Sequence, residues 1–587
     1  VICPHASRCP GCPLIELPYA EQLELKSRTV SQAFAPYAEL ARPPLSATVP
    51  AEPATEFRLR TKLVVNGNAV GLFARGSHDV VDIPACLVLR PRLAAVVRAL
   101  RRALPLPGPI SSLDLREADA GVLVTAAVPP KLEAAPRREL AERIAALDPN
   151  VASVAVSNRE DDAPQLLGGA LEVLVGPAEL RHSPDPRAPW HYAAHGAFVQ
   201  AHAGQLARLH SALEAALGDS ESDGMPARSL AGLRVLELYA GSGALSLRLA
   251  ARGARPTLVE SFAPAVRLAE RAAREQGLAV TTHAADAGAA LAELARKHER
   301  FDAVIVNPPR RGLTPHVRSF VARLAPERLV YVSCDPETLA RDAAHFAVLG
   351  YGLAALTPFD MIPQTDAVET LARFARREPP LPQPLAEDGT FVAVNKPPHE
   401  AMTHSADGSL LGRVRRLPSA AHAVTTHALS AEASGVCSFA KDTRLVSTLD
   451  TAHADASSEY SVLARGVLRA SGTLPQNGGT KGRLRYQLRA VLGGHSLLTV
   501  RASGDVDAIC RALARIGHPV LGDARHGDRR SNAHFLHRHG LERLFVHRSV
   551  LEFATVGGPR RIEAPLAPDL ALVLARLGGQ NRSRRDD

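Results

Sequence analysis

Nowhere in the 587 residues does an uninterrupted apolar run approach the ~20 residues that a membrane-spanning helix requires, and no charged-then-apolar leader opens the sequence. A cytoplasmic chain without membrane contact is the expectation. Aromatic residues are scarce at 4%, with one tryptophan, which beside abundant alanine points to coding bias more than to function. Seven cysteines, an odd number, argue against a disulfide framework. What is present is bulk and positive charge. A hydrophobic content of 46% can supply the cores of three or four domains, and a net charge of +9 suits a polyanionic partner, although an arginine-rich solvated surface gives the same count.

Four of the cysteines, Cys3, Cys9, Cys12 and Cys86, form a tight triplet followed after 73 residues by a fourth. Three thiolates in a short loop can close three corners of a tetrahedral site while the distant one locks the loop to the next segment. Spacing alone leaves an iron–sulfur cluster, structural zinc and unligated thiols open.

Further along, apolar strands end in polar residues at regular intervals. Val235-Leu236-Glu237-Leu238 leads into Tyr239-Ala240-Gly241-Ser242-Gly243, where two glycines let the backbone approach a ligand at the carboxyl edge of a parallel sheet. Many doubly wound domains carry glycines at that turn. Thr257-Leu258-Val259 ends in Glu260, placed to bind ribose hydroxyls, and a third strand end supplies Asp286, suited to face a base or to cap the next helix. Ala303-Val304-Ile305-Val306 ends in Asn307-Pro308-Pro309-Arg310-Arg311-Gly312. The fifth strand, Val330-Tyr331-Val332-Ser333, delivers Cys334 to a turn, after which Asp335-Pro336-Glu337 reads as a capped helix start whose dipole favours the thiolate. A lone cysteine after a strand is more often structural. A last segment, Pro363-Gln364-Thr365-Asp366-Ala367-Val368-Glu369, brings a carboxylate to the start of a final strand.

Together the Asn-Pro-Pro-Arg loop, the Ser-Cys-Asp turn and the Pro-x-Thr-x-x-x-Glu segment resemble, in order and spacing, the RNA uracil-5-methyltransferases. The resemblance covers roughly residues 1–377. It implies an S-adenosylmethionine-dependent enzyme with Cys334 as nucleophile and Glu369 as base. It also implies cofactor contacts from Gln200, Tyr239, Gly241, Gly243, Glu260, Asp286 and Asn307. Gln200 closes His195-Gly196-Ala197-Phe198-Val199-Gln200, which is similar to the family's Phe-x-Gln turn. The cysteine quartet would ligate a 4Fe-4S cluster, and Phe57-Arg58-Leu59-Arg60-Thr61-Lys62, with its cations on one strand face, would meet RNA phosphates unless it is merely solvated. Two departures stand out: Asn307 where many members have Asp, and Ala367 where many have His.

Beyond Arg377 a proline-rich linker leads to a second resemblance. Phe391-Val392-Ala393-Val394-Asn395-Lys396-Pro397 and Gly517-His518-Pro519-Val520-Leu521-Gly522-Asp523 are similar to segments of large-subunit pseudouridine synthases, and Glu459-Tyr460 to that family's tyrosine strand. Its essential aspartate is replaced, since the loop reads His427-Ala428-Leu429-Ser430-Ala431-Glu432, and a later motif is eroded to Ser503-Gly504-Asp505.

The expected fold is therefore α/β. It has an iron–sulfur and central RNA-binding α+β domain (1–194), a Rossmann-like methyltransferase domain (195–377), a linker (378–388), an α+β pseudouridine synthase-like domain (389–577) and a flexible tail (578–587). The expected function is methylation of uridine C5 in RNA, most readily 23S ribosomal RNA, by a monomer whose C-terminal domain binds RNA without isomerising it. A worn-down, non-catalytic RNA-binding scaffold and a bifunctional methyltransferase and synthase are the alternatives.

Overall fold

A computed structural model describes residues 1–583 apart from 161–165, 170, 198–199, 219–228, 404–407, 428, 448–456, 476–483, 503–505 and 556–557. Three large sheets carry it.

The middle one is a seven-stranded sheet ordered Thr281–Ala284, Arg255–Glu260, Arg234–Leu238, Ala303–Val306, Arg328–Ser333, Glu369–Arg376 and Tyr351–Phe359. The first five strands are parallel, and the sixth runs against both its neighbours. Near-continuous apolar strands such as Ala303–Val306 fit a sheet covered on both faces, and all four of that strand's residues are buried. The Glu369–Arg376 strand starts at the edge where the parallel strands end, with Thr370 opposite Ser333. Register alone thus brings Glu369 alongside Cys334.

The N-terminal sheet is ordered Val80–Asp82, Ala69–Phe73, Arg60–Asn66, Ser112–Ala118, Gly121–Val128, Val151–Asn158 and Leu171–Val175. It is antiparallel except where Gly121–Val128 and Val151–Asn158 run parallel, joined through the helix Ala134–Ala145. The region between 95 and 180 mixes helices and strands. One segment departs from the expected 1–194 unit. The helix Tyr19–Phe34 buries Val30 and Phe34 in the core of the middle sheet, so that domain is completed by residues preceding the N-terminal sheet. The proline-rich stretch after Arg181 becomes the loop of a hairpin formed by Glu179–His182 and His191–Ala194.

Among the described residues the C-terminal sheet has ten strands. Its edge is Pro384–Glu387, paired with Phe391–Lys396. The linker expected over 378–388 therefore ends inside the sheet, at an edge position that tolerates proline. The rest of it is anchored too, because Arg413 and Arg416 donate to the carbonyls of Pro380 and Pro379. A last helix, Pro568–Ser583, continues past residue 578, where the tail was expected to begin. Arg584 and Arg585, Phe198 and Val199, Ala428, and Ser503-Gly504-Asp505 lie outside the described residues.

Candidate active site

A cavity of about 680 Å³ opens at the carboxyl edge of the parallel strands. Gln200, Tyr239, Gly241, Glu260, Asp286, Asn307, Cys334 and Glu369 all line it, as do Arg58, Arg60, Arg310 and Arg311. Parallel strands end together at one edge, and the turn after each strand presents its residues there; the sheet thus gathers side chains far apart in sequence.

The glycine turn and the acid of the second strand lock together. Gly241 N donates to Glu260 Oε2 at 3.0 Å, while Phe262 N and Ser261 Oγ donate to Oε1. Gly241 has φ 57°, and a Cβ on it would meet nothing within 4 Å, so it faces open space. Gly243 departs from the expected cofactor contact, since it does not line the cavity. At φ 74° it caps the next helix, and a Cβ there would fall 2.8 Å from Leu258 and 2.9 Å from Ala269. Its lack of a side chain lets helix and strand pack closely. Asp286 combines both roles, lining the cavity and accepting from Gly288 N at 2.9 Å as the cap of Ala287–Arg296.

Cys334 comes directly after its strand as expected, and Asp335 caps the helix Pro336–Val348 by accepting from Thr338 N at 3.0 Å. The thiol, however, is not biased towards the expected thiolate. Burial, then the neighbouring Glu369 carboxylate, push the Cys334 thiol up to about 11, more than Arg310 offsets. Burial disfavours the charged sulfur more than Arg310 favours it. Burial likewise lifts Glu369 to about 7, again opposed by Arg310. Cys334 also lines a second cavity, of about 360 Å³, with Arg310, Ala367 and Val368 and with Thr29 and Gln32 of the N-terminal helix. The nucleophile candidate thus sits in a wall between two openings.

Several supports left no mark in local sequence. Lys26 and Asp360, both fully buried, form an ion pair, and Tyr19 Oη donates to the other Asp360 oxygen at 2.7 Å. Gln22 and Gln364 bond at 2.9 Å. These contacts hold the 360–367 segment, and with it Glu369, against a helix more than 300 residues away in sequence. Asp114, fully buried, pairs Arg60 at 2.8 Å and Arg116 at 3.0 Å, which aims Arg60 at the cavity. Lys62, on the same strand face, is exposed. His195 is a structural residue, buried between Thr125 Oγ1 at 2.8 Å and Ser153 Oγ at 3.0 Å.

Cys3, Cys9, Cys12 and Cys86 are free and half-buried. Cys9 and Cys12 each feel the charges of Cys3 and Cys86, and burial together with that mutual repulsion pushes the Cys12 thiol up to about 12. Ala85 N donates to His5 Nε2 at 3.2 Å, tying the triplet loop to the fourth cysteine's segment. The thiols converge, yet among the described residues no group of three His, Cys, Asp or Glu side chains comes close enough to hold a metal ion. No described helix is long and apolar enough to cross a membrane.

A family profile described as "Conserved hypothetical protein 95" matches residues 224–349. The 23S rRNA (uracil(1939)-C(5))-methyltransferase RlmD of Pseudomonas aeruginosa is 32% identical over 385 residues, 63% of this chain and 79% of that protein. An uncharacterized RNA methyltransferase of Geobacter sulfurreducens is 29% identical over 406 residues, 64% of this chain and 77% of that one. Among solved structures, the Pyrococcus abyssi tRNA (uracil-54, C5)-methyltransferase in complex with S-adenosyl-L-homocysteine superposes with a TM-score of 0.50 and 23% identity, covering 62% of this chain and 86% of that one, a likeness of fold. With a shared sheet, a cavity lined by the residues that the family's motifs single out, and a relative of this identity covered over most of its length, the chain belongs to the RNA uracil-C5 methyltransferase family and is an RNA (uracil-5-)-methyltransferase.

Proposed function

We propose that this enzyme methylates C5 of a uridine in 23S ribosomal RNA through a covalent adduct on Cys334. The observation that carries the reading is the antiparallel register that sets Glu369 beside Cys334, at a wall shared by two cavities. Uracil C5 is a weak nucleophile and needs activation. Glu369, titrating near 7, is matched to accept a proton at working pH, and Arg310 favours the anionic forms of both groups. Glu369 takes the Cys334 thiol proton and passes it to water as the sulfur adds to C6, which pushes electron density towards C5 and O4. Gln200, Tyr239, Gly241, Glu260, Asp286 and Asn307 would hold S-adenosylmethionine, which would supply the electrophilic methyl group to C5 and leave as S-adenosylhomocysteine. Glu369 then removes the C5 proton, and the thiolate leaves as the ring regains its double bond. The base reaches Cys334 flipped from its stack, through the smaller opening beside Thr29 and Gln32. RNA carrying 5-fluorouridine, which has no C5 proton to lose, should trap a protein–RNA adduct that survives denaturation. Methyl transfer without any trapped adduct would refute the covalent route.

Cys3, Cys9, Cys12 and Cys86 are proposed to hold the 4Fe-4S cluster, which would staple the N-terminal loop to the central sheet. The mutual repulsion of Cys9 and Cys12 with Cys3 and Cys86 supports this, although the four do not close on one point among the described residues. Anaerobically purified protein should contain about four irons per chain, as such a cluster requires. One zinc per chain and no visible absorbance would overturn it.

The C-terminal domain is proposed to bind RNA in a pseudouridine synthase-like fold without isomerase activity. Ser430 stands exposed in the loop where that family needs a carboxylate. Lys396 is wholly buried and spent on the carbonyls of Pro397, Ala431 and Ala433.

A further inference from the structure

The helix Pro336–Val348, which begins two residues after Cys334, touches the C-terminal domain along one side. Arg341 Nη2 lies 2.9 Å from Glu542 Oε1, and Arg318, wholly buried, lies 3.0 Å from the other Glu542 oxygen. Both arginines also pair with Asp342, the Arg341 contact being 2.8 Å. The cluster therefore holds two guanidinium groups and two carboxylates, and one of those carboxylates belongs to the C-terminal domain. At the helix start, Arg576 of the last helix reaches Glu337, at the rim of the smaller cavity.

The other side of this cluster carries the loop that lines the active site. Arg341 Nη2 donates to the carbonyl of Arg311 at 2.8 Å, Leu313 N donates to Asp342 Oδ2 at 2.8 Å, and Thr338 Oγ1 donates to the carbonyl of Arg310 at 3.0 Å. Contact is tight: a Cβ on Gly312 would fall 2.6 Å from Asp342 Oδ2 and 2.7 Å from Arg341 Nη2. Tyr331 Oη donates to Asp342 Oδ2 as well, at 2.8 Å. Glu542 is itself delivered rigidly, since the adjacent Arg543 is clamped by Asp569 at 2.6 and 2.9 Å and donates to the carbonyl of Glu432.

We propose that Glu542 is a positioning residue of the methyltransferase site: by balancing Arg318 and Arg341 it fixes Arg341 against the Arg311 carbonyl and so holds the 307–312 loop, with Arg310 and Asn307, over Cys334 and Glu369. A buried arginine stripped of its counter-charge is costly, and the cheapest relief is for Arg341 to swing towards water and release the loop. The C-terminal domain is then an integral part of the methyltransferase, beyond any RNA contact it makes. This inference rests on the roles proposed for Cys334 and Glu369.

The groups facing that pair are Arg310 from the loop, Asp335 from the helix start and each other. Arg310 lowers the proton affinity of both, so a loosened loop raises both.

The test compares full-length wild type with Glu542→Gln, Glu542→Asp and Arg341→Lys. Glu542→Gln should lower kcat by about 10- to 100-fold, the cost of a small misplacement at a reacting centre. KM for S-adenosylmethionine should rise less, because five of its six proposed contacts lie off this loop, and the acidic limb of the kcat–pH profile should move to higher pH. Glu542→Asp, which keeps the charge, should recover part of both effects. Arg341→Lys preserves the charge balance, and hence the fold, but lacks the fork that bridges Glu542 to the Arg311 carbonyl; it should show the same pH shift even should Glu542→Gln be insoluble. Wild-type kcat and pH profile in folded Glu542→Gln, or in Arg341→Lys, would overturn the proposal. So would a loss fully explained by a smaller active fraction in 5-fluorouridine trapping. Failure of wild type itself to form the adduct would instead count against the role given to Cys334, and the variant-to-wild-type rate ratio would still be readable.

Discussion

Cys334 and Glu369 carry opposed demands, because the apolar surroundings that tune them also disfavour their charged forms. Glu369 titrates near 7 through burial. A carboxyl whose folded pKa is raised binds its proton more tightly in the native state, so stability falls as pH rises from the unfolded value near 4.5 through about 7. Activity moves the opposite way, since the base must be ionised. Glu369→Gln should therefore abolish turnover yet raise stability at pH 8 by up to about 3 kcal/mol, with no gain at pH 4. Chemical denaturation at the two pH values checks this, and equal effects at both would contradict the assignment of burial as the cause. In wild type, kcat should drop about tenfold per pH unit below 7, the slope for one essential base. Cys334→Ala should lose methyl transfer altogether while binding S-adenosylmethionine nearly as wild type does, read by calorimetry; residual turnover at the wild-type rate would remove the thiol from the mechanism.

At the scale of elements, the two glycines after Val235-Leu236-Glu237-Leu238 look equivalent in sequence and are not. Gly241 faces the cavity with room around it, whereas Gly243 is pressed between Leu258 and Ala269. Both have positive φ, so alanine costs about 1 kcal/mol at either from backbone strain alone. Gly243→Ala adds a clash and should lose roughly 2–4 kcal/mol of stability with KM for S-adenosylmethionine little changed in the folded fraction. Gly241→Ala should do the reverse, raising KM with a small stability loss. Thermal melts alongside saturation kinetics separate the two. The strand Glu369–Arg376 makes a related point: its single reversal of direction is what carries Glu369 to the edge of the sheet where Cys334 sits.

The whole molecule is built around contacts that span it. Lys26 meets Asp360, and Glu542 meets Arg318 and Arg341; an N-terminal helix and a C-terminal domain both close on the methyltransferase sheet. On the reading proposed for the C-terminal domain, Ser430 stands where an aspartate would be needed, and this docking suits a role in binding and support. Glu432 is two residues away, and its carbonyl is taken up by Arg543. A shift of that size exceeds the ~0.5 Å tolerance of a catalytic constellation. Full-length Cys334→Ala, which removes the competing displacement of the C5 hydrogen, should form no pseudouridine on ribosomal RNA by carbodiimide-dependent primer stops; stops in that variant would make the domain an active synthase.

Strand ends were legible from sequence because a buried parallel strand must be apolar and must stop at a turn, which exposes Gly241, Glu260, Asp286, Asn307 and Cys334 as a series. Capping chemistry likewise announced the helix after Cys334, and its Asp335 cap formed. The linear pattern could not reveal properties set by neighbours distant along the chain. The proton affinity of Cys334 depends on burial and on Glu369, 35 residues away in sequence, and both raise it. Gly243's role depends on Leu258 and Ala269. The Lys26–Asp360 and Glu542–Arg341 pairs join residues that no local periodicity connects. Local sequence determined which residues end strands and start helices, since that is governed by propensity and caps a few residues away; tertiary structure alone decided their charge state and support, since electrostatics acts through space and not along the chain.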